Sequence, residues 1–293
     1  MSVAIRAFQG KFGRIALLDM DRPLVTHAHS QCHVLIKAGG EDTCFSVQDK
    51  TVPLTDDNIV LINSWEPHAY MHRSNAPRTI ILGLYIESAW LIDIEKAFIT
   101  SGTPGFFPMS GVAMSPAVRT LSSTLAAEMF YGAELAGPEL EERLFNLMIA
   151  VIESFSQWRA FNLRGSATLR AIPDHRIRRA ISYIKANIGA DLDTDTLAAQ
   201  ACLSRAHFFK LFQESTNVTP IVYANVLRME AAIQRVAQME DSLTHVSETL
   251  GFSAPSHFTR FFHQHIGATP SQYRKVVDVL AQSSATIKNQ TQR

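Results

Sequence analysis

Residues 27–33 read His-Ala-His-Ser-Gln-Cys-His, and His68 follows within Trp65-Glu66-Pro67-His68. On a strand, His27, His29 and His33 point to one face, because successive side chains alternate sides. Imidazoles so grouped can line a recess with hydrogen-bonding groups, or hold zinc, iron, copper or nickel. The expectation is a ligand pocket formed by His27, His29, His33, Trp65 and His68, with Tyr70 and Tyr85 as further aromatic walls. On that expectation there is no metal, no cofactor and no catalytic residue.

A second constellation lies near the carboxyl end, where a short pattern occurs twice. The first copy runs Leu203, Ser204, His207-Phe208, Lys210-Leu211-Phe212, Thr219-Pro220 and Tyr223. The second runs Phe252, Ser253, His257-Phe258, Arg260-Phe261-Phe262, Thr269-Pro270 and Tyr273. The offset is 49 up to the serine and 50 after it, so one residue is inserted in the turn. Such a repeat marks a duplicated structural unit. Each copy reads as helix, tight turn and second helix, with an aromatic face inward and a polar, basic face outward, the pattern of a helix-turn-helix that enters a major groove. Ser204 and Ser253 are expected to cap the second helices, with Pro255 in a first turn. Phe208, Leu211, Phe212, Phe258, Phe261 and Phe262 are the expected core. Lys210 and Arg260 stand at equivalent outward places and can reach base edges, arginine preferring the O6/N7 pair of guanine.

The elements that position these groups divide the chain. Residues 1–86 contain short β-branched and aromatic runs (15–18, 32–36, 43–47, 58–62, 79–86) separated by turn signals such as Gly39-Gly40 and Asn63-Ser64. From Pro116 the period becomes helical, with Val118, Leu121, Leu125 and Met129 on one face. After Gly137-Pro138 a broad stripe of Leu140, Leu144, Leu147, Met148, Val151 and Phe155 serves either the core or a second copy of the chain. The expected organisation is 1–112, an all-β sandwich or small barrel; 113–158, a helical dimerisation or transmission segment; 159–172, a linker; 173–277, an all-α domain with two helix-turn-helix units; and 278–293, a flexible tail. Zero net charge conceals an asymmetry. Residues 1–158 carry 11 Lys+Arg against 17 Asp+Glu, and residues 159–293 carry 16 against 10. An acidic half joined to a basic half fits a regulatory domain attached to a nucleic-acid-binding one. Three unevenly spread cysteines make neither a disulfide framework nor a metal knuckle. No run approaches the roughly 18 apolar residues of a membrane span, and no signal peptide opens the chain, so a cytoplasmic protein without membrane contact is expected.

Residues 173–275 resemble the DNA-binding domain of AraC/XylS-type transcriptional regulators. The segment Gly251-Phe252-Ser253 through Ser256-His257-Phe258-Thr259-Arg260-Phe261-Phe262 to Gly267, Thr269-Pro270 and Tyr273-Arg274 looks like that family's signature. The resemblance implies seven helices, with the two recognition helices joined by a long one near 219–237. Carried over by position, it implies Arg205, Ala206, Phe209 and Lys210 as the first reading set and Ser256, Thr259 and Arg260 as the second. Asn217 stands where glycine is more usual, and asparagine tolerates the left-handed conformation needed there. Residues 27–68 are similar to the cupin-like sensor domain that many such regulators carry. The expected function is a sequence-specific DNA-binding regulator, an activator, that responds to a small-molecule effector. Its expected partners are promoter DNA, a second copy of the chain and RNA polymerase. The alternative is a metal-dependent cupin enzyme or a metal sensor fused to a DNA-binding tail.

Overall fold

A computed structural model describes residues 2–73, 76–94, 101, 105–132, 137–156 and 174–280. Among the described residues, ten strands form two sheets: β1 (Val3–Gly10), β2 (Gly13–Met20), β3 (Cys32–Gly40), β4 (Thr43–Val47), β5 (Lys50–Leu54), β6 (Asn58–Ile62), β7 (His68–Met71), β8 (Thr79–Ile86), β9 (Gly111–Ala113) and β10 (Val277–Val279). The larger sheet has the order β10-β1-β2-β8-β3-β6-β9 and the smaller β5-β4-β7. The expected barrel is thus realised as two sheets, with Phe45, Val47, Val52, Leu54 and Tyr70 of the smaller sharing a core with Leu35, Val60 and Ile62 of the larger. Pro53 is tolerated in β5 because that strand is an edge.

Both faces of the larger sheet are buried, which is why β2 and β8 are almost uninterrupted apolar runs. One face carries α2 (Pro116–Tyr131) and α3 (Gly137–Phe155), preceded by a short α1 (Ser88–Ile94). The stripe of Leu140, Leu144, Leu147, Met148 and Val151 is buried there among Leu17, Val34, Leu61 and Leu84. These five side chains therefore belong to the chain's own core, and Phe155 at the end of the stripe is half-buried against it.

Seven helices follow: α4 (His175–Ala186), α5 (Thr194–Gln200), α6 (Arg205–Thr216), α7 (Pro220–Gln238), α8 (Leu243–Thr249), α9 (Pro255–Ile266) and α10 (Pro270–Val276). The repeat now has a local cause. Thr219 and Thr269 each cap the helix that their following proline opens, by accepting from Val222 N at 3.3 Å and from Gln272 N at 3.2 Å. Asn217 and Gly267 end α6 and α9 in the left-handed region, at φ 64° and 79°. Ser204 caps α6, accepting from His207 N at 3.4 Å. The matching expectation for Ser253 fails. Pro255 occupies the first helical position, and the inserted residue moves the cap to Ala254, which has no side-chain cap bond. Ser253 Oγ pairs instead with His257 Nδ1 at 2.9 Å.

The helical domain docks on the second face of the larger sheet. Met229, Ala232, Ile233 and Val236 of α7, with Tyr273 and Val277, share a core with Ala4, Ala7, Ala16 and Leu18. The chain then adds β10 parallel to β1, pairing Ala7 with Val277 and Gln9 with Val279. Asp278 and Val279 were expected in the tail; they are instead an edge strand, because β1 offers an unpaired row of backbone groups. The expected linker at 159–172 and residues 281–293 lie outside the described residues.

Candidate nucleic-acid interface and histidine seam

Each helix-turn-helix unit is held by a small aromatic core. Phe208 and Phe212 are buried with Ile177, Leu197 and Tyr223; Phe258 and Phe262 are buried with Val246, Ile266 and Tyr273. Leu211 and Phe261 are only partly covered. Packing at i and i+4 turns the rest of each helix outward. Arg205, Ala206, Phe209 and Lys210 on α6 are all exposed, as are Ser256, Thr259 and Arg260 on α9. Arg205 pairs with Asp195 at 3.0 Å, and Lys210 lies 3.9 Å from Glu214. Exposed pairs of this kind are worth at most about 1 kcal/mol, so both cations remain available to phosphates and base edges. The helix between the two units, α7, has 19 residues and is about 28 Å long at 1.5 Å per residue. That is the scale of one turn of B-DNA, about 34 Å.

The first recognition helix also borders the β domain. Phe209, Lys210, Gln213 and Asn217 line a groove whose opposite wall is Thr26, Ser46, Gln48, Asp49 and Pro67. The wall is the tight β4–β5 turn, where Gln48 and Asp49 both have positive φ, at 46° and 64°.

The histidines gather behind this groove, at the seam where the two domains meet. They do not share one strand. His27 forms an isolated bridge with His68, its N–H donating to His68 O at 2.9 Å and its carbonyl accepting from His68 N at 2.8 Å, while His33 lies in β3. His27, His29, His33 and His68 are all buried. Ring centroids stand 4.5 Å apart for His27 and His68, 4.8 Å for His27 and His29, 5.0 Å for His29 and His68 and 5.3 Å for His33 and His68. His33 stacks on Tyr85 at 4.0 Å, and Arg14 lies over the same tyrosine at 3.7 Å. Burial pushes His27, His29 and His33 well below the ordinary imidazole value, with neighbouring imidazoles adding to the effect. Burial takes His68 down to about 4, against a hydrogen bond to the Glu66 carbonyl that favours its charged form.

Trp65 departs from its expected role as a wall beside these rings. Its backbone N–H donates to His29 O at 2.6 Å, yet its indole stacks on Tyr223 of α7 at 4.4 Å and 7° between planes. A left-handed turn at Trp65, φ 60°, aims the ring that way. Glu66 closes the turn by accepting from Asn63 N at 2.8 Å and Asn63 Nδ2 at 3.1 Å. Tyr70 packs on Phe45 between the two sheets, as core.

Sequence reasoning missed the groups that the helical domain brings to the seam. His265 of α9 lies 5.9 Å from His27, centroid to centroid, and Val25 N donates to Gln264 O at 3.3 Å. Glu230 of α7 accepts from Ser30 Oγ at 2.5 Å and from Ser30 N at 3.4 Å. Burial raises the Glu230 carboxyl, and burial lowers His265. These juxtapositions arise only from docking and carry no signal in local spacing.

A helix-turn-helix domain family matches residues 197–276. The transcriptional regulator ArgR of Pseudomonas aeruginosa is 30% identical over 145 residues, 49% of this chain and 42% of ArgR. The chain therefore matches less than half the length of that relative. LumQ of Photobacterium leiognathi, a probable transcriptional regulator, is 21% identical over 87% of this chain and 94% of its own. Among solved structures, apo ToxT from Vibrio cholerae superposes with a TM-score of 0.55 at 14% identity, over 90% of this chain and 97% of ToxT. At that identity the likeness establishes the two-domain fold, β-rich then helical. Among the described residues, no helix is long and apolar enough to cross a membrane.

Proposed function

We propose that the chain, whose helix-turn-helix domain follows an N-terminal β domain, is an AraC/XylS-type, sequence-specific DNA-binding transcriptional regulator whose β domain senses a small-molecule effector. The observation that carries the reading is the exposure of all seven expected reading residues on two helices joined by one rigid helix. α6 and α9 read bases in neighbouring turns of the major groove, with Lys210 and Arg260 as the long donors and the helix N-termini taking phosphates.

The effector acts at the histidine seam, where a bound group touches the β domain and faces the helical domain at once. Coupling follows from the groove beside α6. In the docked arrangement, Phe209 and Lys210 line one groove together with Gln48 and Asp49 of the β4–β5 turn, so a duplex competes with that turn for the first recognition helix. Whatever tightens the seam weakens DNA binding, and whatever loosens it strengthens binding, by the differential affinity of the effector for the two arrangements. Activation of transcription, dimerisation and contact with RNA polymerase belong to the same proposal. Phe130 and Tyr131, which project from the end of α2 at 50% and 84% exposure, are the aromatic surface that favours a second copy there.

The test is binding to a duplex selected from a random pool, followed by fluorescence anisotropy at several salt concentrations. Binding weakens steeply with salt. Lys210→Ala and Arg260→Ala each lose about 1–3 kcal/mol on the selected duplex and much less on a scrambled one. Equal losses on both duplexes refute base reading by these residues.

A further inference from the structure

The seam holds a set of nitrogen donors arranged for an ion. The Nδ1 of His27 donates to Val25 O at 2.7 Å, and the Nδ1 of His68 donates to Glu66 O at 2.9 Å. Those bonds fix the tautomer and leave Nε2 of each ring as the lone-pair atom, the arrangement that orients imidazole ligands in metal centres. His29 Nε2 is buried with no hydrogen-bond partner, a state that is costly for a polar atom. One ligand nitrogen from each of His27, His29 and His68 lies within 4.8 Å of the others. A tetrahedral ion with nitrogen ligands at about 2.0–2.1 Å needs those atoms about 3.4 Å apart, which modest ring rotations supply. His33 Nδ1 stands 3.4 Å from His68 Nε2, a long contact that an ion displaces at little cost.

We propose that His27, His29 and His68 bind a divalent d-block cation, zinc being the best match, and that His265 on α9 conveys its presence to the DNA-binding domain. The inference departs from the expected metal-free pocket, and it rests on the reading of the seam as the effector site. Three imidazoles without a carboxylate select zinc, copper, nickel, cobalt or iron over magnesium and calcium. Ring centroids 4.5–5.0 Å apart match the spacing of imidazoles gathered around a single ion. His265 repeats the second-sphere pattern of His27 and His68: its Nδ1 donates to Phe261 O at 2.8 Å, leaving Nε2 as its lone-pair atom beside His27. A cation at the three β-domain histidines thus fixes His27, against whose ring the imidazole of the second unit's recognition helix packs, 5.9 Å between centroids. It ties α9 to the β domain and holds the docked arrangement, so that DNA affinity falls when the ion is bound.

The test titrates the purified, chelator-treated full chain with Co2+ and follows ligand-field absorption, then measures DNA affinity with and without Zn2+. Expected are one Co2+ per chain, loss of the absorption in His29→Ala and in His68→Gln, and retention in the exposed-site control His207→Ala. Zn2+ lowers DNA affinity by about 5- to 150-fold in the natural sequence, and His265→Ala keeps the Co2+ absorption but loses most of that response. A natural chain that gives no ligand-field absorption overturns the proposal whatever the variants do. Co2+ binding unchanged by both His29→Ala and His68→Gln overturns the assigned ligands, and a full Zn2+ response in His265→Ala overturns the relay. A chain that binds DNA and no cation refutes this inference alone; one that binds the cation and ignores every duplex refutes the proposed function and leaves the site standing.

Discussion

Trp65→Ala isolates the coupling between the two domains, because it removes a contact at the seam without substituting any residue of either helix-turn-helix unit. The indole lies flat on Tyr223, 4.4 Å between centroids and 7° between planes, and Tyr223 in turn meets the edge of Phe212 at 5.5 Å. The stack therefore joins the β domain to the core of the first unit. An aromatic pair contributes about 0.5–1.5 kcal/mol beyond the area it buries. Loss of that amount from the docked arrangement shifts the docking equilibrium by about 2- to 13-fold. Where docking opposes DNA binding, apparent affinity rises by up to the same factor. The assay is anisotropy of a labelled, pool-selected duplex at one salt concentration, with Trp65→Phe expected to fall between the natural chain and the alanine variant. Met71→Ala, at an exposed side chain of the smaller sheet, serves as the control and leaves affinity unchanged. A folded Trp65→Ala chain whose affinity is the same or lower refutes the argument that the docked arrangement competes with DNA.

Further outcomes follow from particular residues. Asp49→Asn removes a carboxylate from the groove that Lys210 also lines, and DNA affinity should rise by about 0.5 kcal/mol at low salt with the gain shrinking as salt is added. Gly251 has φ +78°, and a Cβ built there would stand 1.8 Å from Gly189 O; Gly251→Ala should destabilise the helical domain by more than about 3 kcal/mol, read as a lowered melting temperature. Burial pushes the Cys32 thiol up to about 12, so almost no thiolate exists at pH 8. Iodoacetamide under native conditions should modify the exposed Cys202 and spare Cys32 until the chain is unfolded, as read by peptide mass analysis.

Much of the helical half was legible because its signals are local. The Thr-Pro pairs, the aromatic spacing at i and i+4, and Asn217 at a left-handed cap all act within one turn of chain. Ser253 misled for an equally local reason, since Pro255 fixes the helix start one residue later than the first copy would suggest. The strands at 15–18, 32–36, 43–47, 58–62 and 79–86 were visible as β-branched runs. By contrast, β10 depends on a partner strand at the opposite end of the chain, and three residues carry no periodicity of their own. The four histidines were recognisable as a group, although His27, His29 and His33 do not share the strand invoked for them: His27 only bridges His68 at the start of β7, and His33 lies in β3. What remained hidden was their setting. Nothing near residue 27 announces that His265 will come to rest beside it, or that Trp65 will turn toward Tyr223.

Hydroxyl-radical footprinting on a pool-selected duplex bears most directly on the claim that two helices read successive turns of one groove. The account requires two protected patches on the same face of the DNA, about 10–10.5 base pairs apart. Lys210→Ala should fade one patch and Arg260→Ala the other. A single patch, or two that respond identically to both substitutions, contradicts it.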